Sequence, residues 1–228
     1  FPVVLMGWAS CSHSGTGHAA LPDPRAVDKS VPEYKNPFHP STYAHFVARK
    51  DYRKTYDVYK DDTLLNRQPK KSRKIFVCLD EQRGQYLVDG LVAMDFPLSS
   101  GVKAYPTKTG DYAVISKKED HTSNLYGKMY DAEGKCINYN AESTDPIPEG
   151  GRFDGSPMPY WQRLTNAGLG LHVGKVRRHP VSHGCLPRNV AEILYRQTSI
   201  GTPVTIQKTP LPVPEIQKVP AGQQHKGV

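Results

Sequence analysis

One cysteine of the chain lies close to several histidines, in the stretch HPVSHGCLPRN at 179–189. Cys185 follows His183 and Gly184, and His172 lies upstream of the same stretch. Cysteine and histidine side chains are ligands that zinc prefers, and the same pair can form a nucleophile with its base. The spacing matches no standard zinc site, because His183 and Cys185 flank a glycine in what reads as a tight turn. The residue types therefore favour nucleophilic chemistry over a metal site.

A cysteine nucleophile needs help, because the thiolate attacks and the ordinary thiol pKa is about 8.5. Cys185 comes just before a predicted helix, RNVAEILYRQTS, whose N-terminal dipole is expected to lower the thiol pKa. His172 ends a predicted strand, LGLHVG, and is expected to lie beside the cysteine as its base. Gly184 lets the backbone turn so that N–H groups near Cys185 face a developing oxyanion. The pattern predicts a cysteine–histidine acyl-transfer site.

The elements that must position this site read as β strands. KIFVCLD is rich in β-forming residues, and QYLVDGLVAMDFP predicts two strands around the Asp89-Gly90 turn. Glycine and proline then separate many short segments, and GTPVTI predicts a closing strand. The helix after Cys185 has an apolar face bracketed by Val190 and Gln197. We therefore predict a mainly β domain over 73–207, with long loops and one or two short helices.

The first forty residues predict an exported chain with a linker. FPVVLMGWASCSHSG is an apolar run that ends in small residues and a cysteine, which resembles the end of a signal peptide over 1–11. Ala9-Ser10-Cys11 also resembles a lipoprotein cleavage box, so Cys11 is a candidate site of lipidation and membrane anchoring. Residues 12–40 are rich in Ser, Gly and Pro and predict an extended linker.

The segments on either side of the β domain differ in pattern. Over 41–72 a helical extension is expected, with Ser41 or Thr42 as its N-cap. Tyr52, Tyr56 and Tyr59 are spaced i, i+4, i+7, which places them on one face of the predicted helix. Residues 208–228 are proline-rich and predict a disordered tail.

Composition narrows the classes of partner. The 228 residues carry a formal net charge of +8, but the charges mostly alternate in sign and no nucleic-acid-binding motif accompanies them. A basic surface is compatible with a polymer rich in carboxylates. The four cysteines are far apart without a C-x-x-C pair, which argues against a zinc ribbon and a disulfide-dense scaffold. Cys78 and Cys136 form one bridge or stay as free thiols, and no stretch is long enough to span a bilayer.

The motifs around Cys185 resemble those of a known protein family. LHVGKVRRHPVSHGCLPRN is similar to the signature of the L,D-transpeptidase catalytic domain family of the YkuD type. Nine residues, VGKVRRHPV, separate the histidine from the serine, as in the short-loop branch of that family. MPYWQRL, PTKTGDYAV, DEQRGQYLVDG and GTPVTI resemble further family segments, so that the resemblance covers 73–207. It implies a transpeptidase-type β-sandwich.

The resemblance also implies roles for single residues. Cys185 would be the nucleophile and His172 its base, oriented by the backbone carbonyl of Val173. Ser182 and His183 would shape the site, and the N–H groups of Gly184 and Cys185 would bind the oxyanion. Substrate binding is expected of four side chains, namely Arg188, Tyr160, Arg163 and Met158.

Two departures and one extra histidine qualify this assignment. Pro187 places Arg188 one position later than the family pattern, which puts its role in question. Lys108 stands where the family's turn usually has proline, and His179, without a family counterpart, is interpreted as a loop histidine.

The activity that the resemblance implies is acyl transfer on peptidoglycan tetrapeptide stems, without a cofactor, by a monomer in the cell envelope. Cys185 would form a thioester, release D-alanine and pass the acyl group to an amine. Water as acceptor would make the chain an L,D-carboxypeptidase, and a protein lysine would make it a lipoprotein-anchoring enzyme. Another cysteine acyl-transferase or peptidase, a non-catalytic wall-binding protein and a zinc protein are the remaining alternatives.

Overall fold

The computed structural model describes residues 20–69, 72–181, 183–224 and 226. Short strands dominate this part of the chain: β1 (Tyr59–Lys60), β2 (Arg73–Cys78), β3 (Arg83–Val88), β4 (Leu91–Pro97), β5 (Ser99–Gly101), β6 (Gly110–Ala113), β7 (Ser116–Lys118), β8 (Thr122–Tyr130), β9 (Cys136–Glu142), β10 (Arg152–Pro157), β11 (Trp161–Arg163), β12 (Gly170–Leu171), β13 (His183–Cys185) and β14 (Pro203–Gln207). The helices described are α1 (Tyr43–Ala48), α2 (Asp62–Asn66), α3 (Arg188–Gln197) and a 3-10 turn (Glu215–Gln217). The predicted mainly β fold with few short helices is confirmed.

The main sheet has the strand order β1-β4-β3-β2-β14-β6. β2, β3 and β4 form an antiparallel meander, whereas β14 runs parallel to β2 and antiparallel to β6. A parallel neighbour needs a long crossover connection, and here that connection runs through β3 to β13 and α3. The last strand of the chain thus lies in the interior of the sheet, beside one of the first.

The β3–β4 turn was predicted from two residues, and the structure confirms it. Asp89 and Gly90 have φ angles of 52° and 80°. Two consecutive left-handed residues are typical of a type I′ turn, which suits the twist of a two-residue hairpin. Asp89 Oδ1 also accepts the backbone N–H of Ser72 at 2.8 Å, which ties the turn to the entry of β2.

The principal core lies between the main sheet and α3. The buried face of α3 carries Val190, Ala191 and Leu194, which pack with the apolar residues of the central strands. Burial of this face is the main stabilisation of a helix that begins at Arg188 without a side-chain cap. Cys78 is buried and Cys136 is partly exposed, and both are free thiols, so the alternative of a bridge between them is wrong.

The predicted single helix over the tyrosine-rich segment is wrong. α1 begins after Thr42, whose hydroxyl accepts the backbone N–H of His45 at 3.2 Å, and it ends at Ala48. Tyr52 then lies in a turn and is buried, Tyr56 is exposed, and Tyr59 belongs to β1 at the edge of β4. The hydroxyl of Tyr52 donates to buried Asp95 of β4, and such tertiary contacts outweigh a local helical pattern.

The segments interpreted as a linker and a disordered tail pack on the molecule where they are described. Phe38 is fully buried and forms an antiparallel bridge with Pro220, so that the two segments pair with each other. The side-chain amide of Gln217 donates to the carbonyl of Val92 and accepts its N–H, both at 2.9 Å. The extended-linker and disordered-tail predictions are thus wrong for residues 20–40 and 208–224, because both segments have buried apolar anchors.

Three smaller sheets lie beside the main one. Their orders are β10-β8-β9, β12-β11-β7 and β13-β5, and the last two carry the residues around Cys185 and His172. Among the described residues, no helix is long and apolar enough to cross a membrane. The Cys11 lipidation site and the signal segment lie outside the described residues.

Candidate active site

Cys185 and His172 are brought together by two chain segments that run side by side. Val173 and Leu186 form a parallel bridge, with hydrogen bonds from the Leu186 N–H to the His172 carbonyl (3.0 Å) and from the Gly174 N–H to the Leu186 carbonyl (2.9 Å). In this register His172 is the neighbour of Cys185. Both residues line the same pocket. The pairing therefore makes the two side chains available to one reacting group.

The imidazole of His172 is oriented by its own chain. Its Nδ1 lies 2.8 Å from the carbonyl oxygen of Val173, the contact that the family resemblance implied. A carbonyl only accepts hydrogen bonds, so Nδ1 carries the proton and the neutral ring has its basic lone pair on Nε2. The Trp161 ring packs against the imidazole at 5.8 Å, and His121 stacks on the indole at 5.1 Å. His172 is therefore held in the tautomer that a general base needs.

The Cys185 thiol experiences two opposing effects. Burial raises the pKa of Cys185, and a hydrogen bond from the backbone N–H of Lys175 to the sulfur lowers it, with burial the larger effect. The net pKa is therefore raised, and the lowering expected from the α3 dipole stays a prediction. The helix begins only at Arg188, three positions after Cys185.

A glycine is required beside the sulfur. A Cβ on Gly174 would lie 2.3 Å from Cys185 Sγ and 2.8 Å from Cys185 Cβ, both far inside van der Waals contact. A side chain at this position would force the thiol or the backbone at Gly174 to move. Gly174 is therefore a requirement of the site that the sequence did not single out.

The pocket around the two residues is small and mostly apolar. Its polar lining besides Cys185 and His172 comes from Ser99, Ser100 and Thr107. Apolar residues of β2, β14 and the 164–171 segment, together with Leu98 and Leu186, form the remaining wall. The cavity volume of about 40 Å³ suits a few water molecules rather than a peptide. Only a small group could therefore reach the thiol within this pocket.

β5 supports the cysteine segment from the other side. Cys185 pairs with Ser99 in the antiparallel β13–β5 ladder, and the Val181 N–H donates to the Ser100 carbonyl at 2.8 Å. Ser100 is in turn held by the side chain of Gln82, which accepts its N–H and donates to its hydroxyl, both at 2.8 Å. In the sequence LSSG is only one of many short segments separated by glycine and proline, so the role of this strand could not be found there.

The residues predicted to bind substrate lie outside this pocket. Arg188 is exposed at the first position of α3. Tyr160 has a left-handed φ of 58° and packs its ring against Tyr195 at 5.7 Å. Met158 and Arg163 flank it, with Arg163 in β11. None of these four side chains, all in the described part of the chain, lines the pocket. Their contacts with a substrate therefore stay predictions.

The predicted site also includes the three residues that precede Cys185, namely Ser182, His183 and Gly184. Ser182 lies outside the described residues, so its role stays a prediction. His183 and Gly184 belong to β13, with His183 in register with Gly101. Gly101 has no room for a side chain, because a Cβ there would lie 2.0 Å from the carbonyl oxygen of Tyr105. His179 is exposed in the loop that precedes Ser182, which agrees with its interpretation as a loop histidine.

Sequence comparison relates this chain to a known protein family. The profile of the YkuD L,D-transpeptidase catalytic domain matches residues 72–206. A protein named probable L,D-transpeptidase 3 from Mycobacterium tuberculosis is 31% identical over 121 residues, which are 49% of this chain and 38% of that protein. The family comprises cysteine-dependent L,D-transpeptidases of the cell wall that act on peptidoglycan stem peptides.

Solved structures are similar to the same part of the chain. An L,D-transpeptidase from Mycobacterium smegmatis is 22% identical with a TM-score of 0.45, over 60% of this chain and 58% of that one. L,D-transpeptidase 3 from Mycobacterium tuberculosis, in complex with a faropenem-derived adduct, is 24% identical with a TM-score of 0.44, over 60% of each chain. The match thus spans less than two thirds of each of these relatives. Because the family profile covers more than half of the sequence, the chain belongs to the L,D-transpeptidase catalytic domain family.

Proposed function

We propose that the chain is a peptidoglycan L,D-transpeptidase with Cys185 as nucleophile and His172 as base. The observation that carries the proposal is the pairing of their two segments, together with the Nδ1 contact to the Val173 carbonyl. This arrangement leaves Nε2 of His172 as the proton acceptor beside a pocket that contains the thiol. The small pocket suits a reaction at one carbonyl of a longer peptide.

The first half-reaction forms a thioester. His172 Nε2 takes the proton of the Cys185 thiol as the sulfur attacks the carbonyl carbon between the L-centre and the terminal D-residue of a tetrapeptide stem. The tetrahedral oxyanion is bound by the N–H groups of Gly184 and Cys185. As the C–N bond breaks, the imidazolium returns the proton to the leaving amine of D-alanine, and the tripeptidyl group remains on sulfur.

The second half-reaction releases the acyl group. An amine, the side chain of a diamino acid on another stem, attacks the thioester carbonyl while His172 removes its proton. The C–S bond breaks, the proton passes to sulfur, and a cross-link and free thiol result. Ser182 and His183 shape this site, and Arg188, Tyr160, Arg163 and Met158 bind the extended substrate. We also propose export to the envelope, with Cys11 as the lipidated residue.

The test of the nucleophile uses a carbapenem, whose β-lactam acylates an active thiol and adds its mass to the protein. The unaltered chain is expected to gain one adduct, and Cys185→Ala none. His172→Ala should slow acylation by about 10²-fold to 10⁴-fold, because an uncatalysed thiol must lose its proton to water. Cys78→Ala is the matched control, a second free thiol that should leave the adduct unchanged.

The acceptor is tested by incubation with purified disaccharide-tetrapeptides and mass analysis of the products. Cross-linked dimers support transpeptidation, and tripeptides alone indicate a carboxypeptidase. Transfer to lysine of an added wall-anchored lipoprotein indicates the anchoring reaction. An adduct that survives in Cys185→Ala, or substrate that stays untouched by the active chain, contradicts the proposal.

A further inference from the structure

The loop that joins His172 to Cys185 contains an arginine with an unusual set of partners. Arg178 donates from Nη1 to the carbonyls of Tyr52 (3.3 Å) and Thr55, and from Nη2 to the carbonyl of Glu81 (2.8 Å). These acceptors belong to two segments far from the loop in sequence, and all are backbone atoms. One guanidinium thus joins the catalytic loop to the N-terminal extension and to the β2–β3 turn.

The backbone at Arg178 shows that this side chain is held in place. Its φ of 57° lies in the left-handed region, which residues with a side chain rarely occupy. Such conformations persist where the surroundings fix them, and here the guanidinium contacts do so. The neighbouring Arg177 is different, because its side chain is exposed.

The acceptors of Arg178 are themselves fixed by buried charges. The Thr55 carbonyl also accepts Nη1 of Arg83 at 3.2 Å, and Arg83 forms a buried ion pair with Asp95. The hydroxyl of Tyr52 donates to the same Asp95 carboxylate at 2.9 Å. The extension therefore presents its carbonyls as part of a rigid network and not as a mobile strap.

The residues on both sides of Arg178 in the loop contact the segments that hold the Cys185 thiol. On one side of Arg178, the N–H of Arg177 donates to Ser99 Oγ at 2.8 Å and the N–H of Lys175 donates to the sulfur of Cys185. On the other side, the N–H of Val181 donates to Ser100. A displacement of Arg178 would therefore move the donor at the sulfur and the support of β13 together.

We propose that Arg178 is a positioning residue for acyl transfer, and that residues 50–57 of the extension are a structural part of the active site through it. The inference rests on the proposed function, since it takes Cys185 as the reacting thiol. Arg178 does not touch the thiol. It acts through the Lys175 N–H and the β13–β5 pairing.

The test compares Arg178→Ala, Arg178→Gly and Arg178→Lys with Arg177→Ala as the neighbouring control. Carbapenem acylation should fall by about tenfold to a hundredfold in the alanine and glycine variants, because a displacement of about 1 Å at a reacting group has effects of this size. The lysine variant should lie between, since it keeps the charge without the planar fork. Arg177→Ala should stay within about twofold of the unaltered chain.

Two readouts separate positioning from general stability. The pH profile of Cys185 alkylation by iodoacetamide should move to higher pH in Arg178→Ala and Arg178→Gly, because loss of the Lys175 hydrogen bond disfavours the thiolate. Hydrogen exchange should quicken in both 50–57 and 174–181, at a melting temperature that shows the variants are folded. The glycine variant accepts the left-handed backbone without strain, so it isolates the loss of the guanidinium.

The outcomes distinguish this inference from the proposed function. Unaltered acylation and an unaltered pH profile in Arg178→Gly would overturn the inference, and so would the same result in Arg178→Lys if the other variants do not fold. A Cys185 that reacts with neither reagent contradicts the proposed function instead. Altered alkylation in a chain that leaves tetrapeptides untouched supports the inference while the proposed function fails.

Discussion

The thiol of Cys185 is buried enough for its environment to decide when it ionises. Its pKa lies above the ordinary value because burial outweighs the hydrogen bond from Lys175. The Nδ1 atom of His172 donates to the carbonyl of Val173, which fixes the orientation of the imidazole. The raised pKa therefore favours the protonated thiol of Cys185 in the resting site.

This state predicts the pH dependence of alkylation. The thiolate is the reactive form, and a raised pKa means that less of it is present near pH 7. We expect the rate of Cys185 alkylation by iodoacetamide to rise through and beyond the ordinary thiol pKa of about 8.5. The rate is followed by mass on the Cys185 peptide, with urea-unfolded protein as the reference. A midpoint below pH 7 would indicate a preformed thiolate–imidazolium pair.

At the residue scale, the sequence predicted those site residues that lie close together along the chain. His172, Val173 and Cys185 belong to one motif, so their arrangement follows from a short stretch with known spacing. Arg178 could not be found in this way, because its partners are backbone carbonyls that leave no mark on the residue types around them. Gly174 was also missed, since its role depends on a sulfur atom brought close by a bridge between two segments.

Among the elements, prediction followed the strength of the local pattern. The β3–β4 hairpin and α3 were predicted because a turn dipeptide and an apolar face specify them locally. The tyrosine-rich segment was misread because buried Asp95, in a strand far along the chain, accepts the hydroxyls of Tyr43 and Tyr52. The C-terminal segment was misread because its proline content conceals two buried anchors, Val213 and Gln217.

The docking of this C-terminal segment gives a prediction at the element scale. The amide of Gln217 satisfies both backbone groups of Val92, on β4. Gln217→Leu leaves that N–H and carbonyl unpaired and buried, so we expect a loss of about 1–3 kcal/mol in the free energy of unfolding. Urea denaturation measures this loss. Gln223→Leu, at an exposed site beyond the 3-10 turn, is the control and should change stability by less than about 0.5 kcal/mol.

Across the whole molecule, a buried ion pair connects the extension to the catalytic half. The side chains of Arg83 and Asp95 are 1% and 0% exposed, and the hydroxyls of Tyr43 and Tyr52 and the amide of Gln85 also donate to the carboxylate. Arg83 also donates to the carbonyls of Thr55 and Asp57. Such a network has little tolerance for the loss of one charge, since the other would remain in a medium that solvates it poorly.

Asp95→Asn should therefore destabilise the fold by about 3–5 kcal/mol, because it leaves the Arg83 guanidinium buried without its counter-ion. The free energy of unfolding in urea is the measurement. Asp154→Asn is the matched control: its pair with Arg152 is more than half exposed, and loss of an exposed pair costs at most about 1 kcal/mol. Equal effects of the two substitutions would show that burial of the Arg83–Asp95 pair has no energetic consequence.

The interior position of β14 has a consequence for how the chain is made. A chain that is made from its N-terminus has β2 and β6 available long before residues 203–207, so the main sheet stays divided until β14 has been made. Val77 of β2 and Ile206 of β14 both line the pocket of Cys185. The pocket around Cys185 is thus completed only when β14 joins the sheet, and a chain that stops before residue 203 lacks part of the pocket wall.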